Sequence, residues 1–225
     1  MKKLSIKSLV EFRKKSELSK RTFIANLKKN EDDIQKDGGG HYWITSLSAI
    51  SNAFKHDKLQ LVKNKAGELQ GKLDHEKRTQ TKAMYERNIA ILDNYEDFDL
   101  NLWRPSKKLF FHSRPKADSI LTIKGLEIEA LPQHVFSFGK DENKEIGGIW
   151  FIANLKGHTG DELGMFVDIL YRYLNANFSN NYAINPNYCL AVDVVERFDV
   201  SFSQLEKGEV KRILIPTVNE IIKLM

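Results

Sequence analysis

The positions of proline constrain this chain most. All five prolines lie at or beyond Pro105, and the first 104 residues hold glycine only at 38–40, 67 and 71. Proline and glycine are the strongest local breakers of regular structure, so the first half can be built from helices and the second half must turn often. The hydrophobic spacing agrees. "SLVEFRKK" and "SKRTFIANLKK" read as short basic helices. Trp43, Leu47, Ile50 and Phe54 then recur on one helical face, followed by Leu59, Val62, Ala66, Leu69 and Leu73 at spacings of three and four. That second series suits an antiparallel packing partner but is too short for a coiled coil. "KAMYERNIAILDNYEDF" continues the pattern with Met84, Ile91 and Tyr95 inward.

After "WRPSKK" the period changes from helical to two. "LFFH", "SILTIKGLEIEAL", "HVFSFG" and "IGGIWFIANL" read as strands separated by Pro, Gly and charged turns, the second of them as one long strand. Residues 131 to 157 form two strands joined by a polar turn. Thr159, with Glu162 three residues on, is a capping box that opens a helix through 177, with Leu163, Phe166, Val167, Leu170 and Leu174 on its apolar face. "YCLAVDVVERFDVSF" is a strand pair or one bent strand. Ser203 and Glu206 repeat the capping signal, and "PTVNEIIKLM" ends the chain as a short helix. The reading is α+β: a helical, basic region over residues 1–82 and an α/β core with C-terminal helices over 83–225.

Composition limits the classes of function. The 225 residues are 41% hydrophobic and 29% charged, the profile of a globular chain that can bury a sizeable core. No apolar run reaches the length of a membrane span, and the start lacks the features of a secretory signal, so a cytoplasmic protein is expected. Cys189 is the only cysteine, which rules out an internal disulfide and a cysteine-rich zinc site. The net charge is +5, yet residues 1–30 alone hold ten Lys and Arg against Glu11 and Glu17, so the remainder is slightly acidic. An anionic partner meeting the N-terminal segment is one expectation, through Lys14, Lys15, Lys20 and Arg21; a solvated helix surface is the other. "LNLWRPSKKLFFHSRPK" interleaves aromatics with Arg104, Lys107 and Lys108, a pattern that suits phosphate contacts with base stacking, although Trp103 and Phe110 could equally fill a seam.

From residue 83 the order helix, strand, long strand, strand, helix, strand resembles the αβββαβ core of the restriction-endonuclease-like, or PD-(D/E)xK, superfamily, over about residues 83 to 200. The resemblance implies a mixed sheet and a Mg²⁺-dependent phosphodiesterase site with an acid on the second strand and acid-x-Lys on the third. Here Pro132-Gln133 stands for Pro-acid, and Asn154-Leu155-Lys156 for acid-x-Lys. Both carboxylates are amides, which supply no negative charge for a hard cation. Glu127 and Glu129, two apart on one strand face, are substitute Mg²⁺ ligands, with Lys156 at the water and Glu86 as a helical third acid; the alternative makes both glutamates the solvent side of an amphipathic strand. The resemblance therefore implies a DNA- or RNA-binding protein with a degenerate nuclease-like core. The rival expectation is a regulatory module that binds a protein partner or a second copy through helix 160–177 and "EIIKLM".

Other residues carry weaker signals. "GGGHYW" lacks the Gly-Lys-Ser/Thr ending of a phosphate loop. His134 and His158 flank the proposed strands and could serve as acid–base groups. Cys189 reads as a core thiol. Asp193, inside "LAVDVV", must either face outward or find a partner.

Overall fold

The computed structural model describes residues 3–28, 42–113, 119–140 and 144–225. Its centre is a five-stranded sheet in the order β2-β5-β6-β7-β8, formed by Phe110–His112, His134–Phe138, Glu145–Ile152, Ala183–Asp193 and Phe198–Ser201. β2, β5 and β6 are an antiparallel meander, β7 lies parallel to β6, and β8 returns antiparallel to β7. The parallel step needs a crossover, and helix α6 (Gly160–Phe178) provides it.

Alternation along these strands sorts the core into two layers. Val135, Ile146, Trp150, Cys189 and Ala191 join one cluster, which holds the inward face of α6. Phe136, Phe138, Ile149, Phe151, Leu190 and Val192, one residue out of phase, join the other. Side chains on a strand point alternately to opposite faces, so a sheet covered on both sides must be apolar at nearly every covered position, as residues 146–152 of β6 and 189–192 of β7 are. Leu163, Phe166, Val167, Leu170 and Leu174 of α6 are all buried, as their spacing predicts. Helix and sheet touch closely at Gly148, where a Cβ would come within 2.8 Å of Leu170 Cδ1.

The helical first half does not form one unit. α1 (Ile6–Lys14) and α2 (Glu17–Lys28) pack with α6 and with α8 (Leu214–Leu224) on one face. α3 (Ile44–His56) and α4 (Gln60–His75) cover the other face together with α5 (Thr79–Asp93). The boundary expected at residue 82 falls inside α5, and the helices before it serve both layers.

The expected long strand is also two strands. Ile123 pairs with Leu126 across a two-residue turn in which Lys124 and Gly125 have φ of 51° and 85°. Two successive positive φ values match the twist of a tight hairpin, and Lys-Gly is not the Asn-Gly pair that announces one. The result is a separate sheet, β1-β4-β3, in which β3 is Ile120–Ile123, β4 is Leu126–Glu129 and β1 is Leu4–Ser5, parallel to β4. The shorter helix α7 (Phe202–Glu206) is boxed by Ser201 and Gln204, two residues before the expected Ser203 and Glu206. The apolar face of helix 160–177 is consumed inside the fold, while α8 leaves Ile222 and Met225 exposed.

Candidate functional site

β5 begins, and β6 and β7 end, at one edge of the five-stranded sheet. The carboxyl edge of parallel strands is where clefts form in α/β sheets, because loops diverge there while helix N-termini point back. Three loops meet the start of α6 at this edge: 131–133, 153–159 and 194–197.

The loop after β6 is shaped by its own sequence. Asn154 Oδ1 accepts from Lys156 N at 3.1 Å, and Gly157 N donates to Asn154 O at 3.0 Å. Gly157 sits at φ 66°, and a Cβ there would lie 2.6 Å from Glu196 Cγ. Only glycine meets both conditions without strain. His158 is thereby brought to Asp193, with Nδ1 donating to Oδ2 at 2.6 Å. Asp193 has no exposed surface, and its Oδ1 accepts from Val195 N at 3.0 Å and Glu196 N at 3.3 Å. A buried carboxylate needs such partners, and the imidazole is the one that reaches solvent space. The Thr159–Glu162 box follows at once. Glu162 Oε2 accepts from Thr159 N at 3.1 Å and pairs with Lys14 Nζ at 3.0 Å. Lys14, Lys156, His158, Thr159, Glu162 and Glu196 line a cavity of about 560 Å³.

The two amides at the motif positions are committed elsewhere. Gln133 Nε2 donates to Phe151 O at 2.9 Å, and its Oε1 accepts from Phe151 N at 3.0 Å, so the side chain extends the β5–β6 ladder by one rung. Asn154 closes the turn described above. Glu127 and Glu129 lie on β4, which pairs only with β1 and β3, between the buried Leu126, Ile128 and Ala130. Glu127 is exposed and Glu129 half-buried, and neither is among the residues that line the cavity holding Lys156. Glu86 is exposed on α5, in the opposite helical layer. Among the described residues no three His, Cys, Asp or Glu side chains group so as to hold a metal ion. The donor set at this edge does not fit the Mg²⁺ site that the resemblance implies.

The basic residues divide in a similar way. Lys14 and Lys156 share the cavity, Arg21 is exposed on α2 and Lys15 is half-buried after α1. Lys20 is tied to Glu220 at 2.6 Å and Glu17 at 3.0 Å, bonds that raise its pKa. Arg104 is buried rather than displayed. It donates to the carbonyls of Phe54 and Lys107, lies over the Phe54 ring at 5.6 Å and stands 3.4 Å from Asp57. Burial lowers its pKa, partly opposed by Asp57. Lys107 and Lys108 are exposed, with Lys108 5.3 Å from the Phe110 ring centroid. His134 Nε2 meets Ser51 Oγ at 2.7 Å and stacks on Phe54, a tie between β5 and α3. Burial pushes the Cys189 thiol pKa up. Gly38–His41 of "GGGHYW" lies outside the described residues.

Of the residues at this cavity, Asp193 was visible in the sequence as an acid in need of a partner and His158 as an acid–base candidate, but nothing there joined the two. Lys14, 142 residues before Lys156 in the chain, carried no signal for its meeting with Glu162.

No family model, curated protein or solved structure matches the chain. Among the described residues no helix is long and apolar enough to cross a membrane.

Proposed function

We propose that the protein binds nucleic acid at the carboxyl edge of β6 and β7, on a core that keeps a nuclease-like order of elements without a metal-binding donor set. The observation that carries this reading is the composition of that edge. Where metal ligands would stand are two amides bonded to backbone, and next to the Asn154 turn Lys14, Lys156 and a carboxylate-held imidazole line an open cavity together with Glu162, which pairs with Lys14, and Glu196. Support for the core comes from its connectivity, α5, β2, β5, β6, α6, β7, with the β3–β4 hairpin inserted after β2. Arg21, exposed on the basic α2, and the exposed Lys107 and Lys108 are further points for phosphate contact.

Lysine contacts with phosphate release counterions, so binding must fall as salt rises. Titration of labelled DNA and RNA oligonucleotides in EDTA, from low to physiological salt, is the test. Binding that weakens with salt and is indifferent to Mg²⁺ is expected, with the log–log slope reduced by about one when Lys156→Ala removes one contact. Absence of binding, or binding unaffected by salt, overturns the proposal; the former favours a protein partner, met at a surface such as the exposed side of α8.

A further inference from the structure

We infer that His158, positioned by Asp193, is the acid–base group of a metal-independent site that cleaves single-stranded RNA at its own 2′-hydroxyl. The inference rests on the nucleic-acid reading above and specifies the substrate class of that site.

Each element of the argument is at the cavity. A general base must be held in one orientation with one ring nitrogen left to work, and Asp193 holds Nδ1 at 2.6 Å while two backbone N–H groups fix the carboxylate itself. This leaves Nε2 for the substrate. The His158 side chain is 5% exposed, so its low-dielectric surroundings strengthen whatever polar contact it makes. Phosphate charge needs a cation. Lys14 is shared with Glu162, but among the described residues Lys156 pairs with no carboxylate.

The nucleophile is what selects RNA. Thr159 supplies the hydroxyl among the residues that line the cavity, and its oxygen accepts from Glu162 N at 3.3 Å as a helix cap. The single thiol, Cys189, is buried and its pKa is raised by burial. The donor set does not fit a metal that would activate water. A ribose phosphodiester brings its own attacking oxygen and needs only a base and a cation from the protein, whereas deoxyribose lacks that oxygen. In the step, Nε2 takes the 2′-hydroxyl proton and O2′ forms a bond to phosphorus. The P–O5′ bond breaks, the leaving O5′ takes a proton from water, and the hydroxide so formed takes the proton back from Nε2, which restores His158. The products are a 2′,3′-cyclic phosphate and a 5′-hydroxyl, with Lys156 beside the phosphoryl oxygens. His158 is the catalytic residue and Asp193 a positioning residue.

The test uses the full chain in EDTA with a labelled single-stranded RNA and the 2′-deoxy oligonucleotide of the same sequence, reading binding and cleavage together. RNA cut to cyclic-phosphate ends and DNA bound but intact are expected. His158→Ala should lower the cleavage rate at least about 100-fold, the lower bound for a lost general base, while RNA is still bound, and should be partly rescued by added imidazole. Asp193→Asn should lower the rate at unchanged affinity. If His158→Ala lacks the wild-type unfolding transition, His158→Gln replaces it with the same expectation apart from rescue. RNA that is bound but never cut, cleavage that requires Mg²⁺, or cleavage that survives loss of His158 each overturns this inference and leaves the binding proposal standing. Failure to bind either oligonucleotide overturns both.

Discussion

Replacing Gln133 by glutamate would place a carboxylate at the motif position with almost no change of shape, and the structure states what that costs. Oε1 would still accept from Phe151 N, but the atom now donating to Phe151 O at 2.9 Å would become a second oxygen facing a carbonyl. One half-buried hydrogen bond is lost and its acceptor is left unpaired, which costs about 1–3 kcal/mol. A central value of about 2 kcal/mol lowers the melting temperature of a chain this size by about 4–8 °C at neutral pH. Acid should reverse the loss. A protonated carboxyl can donate to Phe151 O again, so its folded pKa lies above the unfolded value of about 4.3. A raised folded pKa means stability that is present below the unfolded value and lost as pH rises through the folded one. Thermal melts of wild type and Gln133→Glu at pH 4 and pH 7 should therefore differ little in acid and fully at neutrality. Equal melting temperatures at pH 7 would refute the claim that this position is held by its amide, and would reopen it to a metal ligand.

Phe54→Ala should cost about 3–5 kcal/mol in denaturant unfolding, since the ring is fully buried against Phe111, Phe136, Phe151 and His134 and under Arg104. Gly157→Ala should lose about 1–2 kcal/mol from its positive φ and displace Glu196, so nucleic-acid binding should weaken more than stability does. His112, whose pKa burial lowers, bonds Ser137 at 2.9 Å. The unfolded chain binds its proton more readily, so stability should fall as pH drops below about 6.5. His112→Gln should flatten that dependence in melts between pH 7 and 5.

The sequence specified what depends on local periodicity. α6, its capping box and the 131–157 hairpin follow from spacing and from one Thr-x-x-Glu, because local hydrogen bonds and one apolar face decide them. The split of "SILTIKGLEIEAL" was hidden because Leu121, Ile123, Leu126 and Ile128 keep nearly the same alternation through a Lys-Gly turn. What was hardest to read is which strands are neighbours. Placing Glu127 and Glu129 beside Lys156 required β4 to join the main sheet, and pairing is set by contacts between residues far apart in the chain. Asp193 shows the middle case: burial cost demanded a partner, and only the parallel alignment of β6 and β7 brings the loop carrying His158 to it.

The pairing of Leu4 with Ile128 and of Ser5 with Glu129 has a consequence for how the molecule assembles. β1 can bond only after the β3–β4 hairpin exists, and the chain enclosed between the partners includes both α2 and the whole α3–α4–α5 layer. Closing so long a loop has an entropic cost that only non-local contacts repay, which slows folding. During synthesis β1 is made before its partner and cannot complete this pairing until residue 129 emerges. α1 follows β1 directly, so the small sheet ties the helix that carries Lys14, one wall of the cavity, to a strand that lies beyond α5 in the chain.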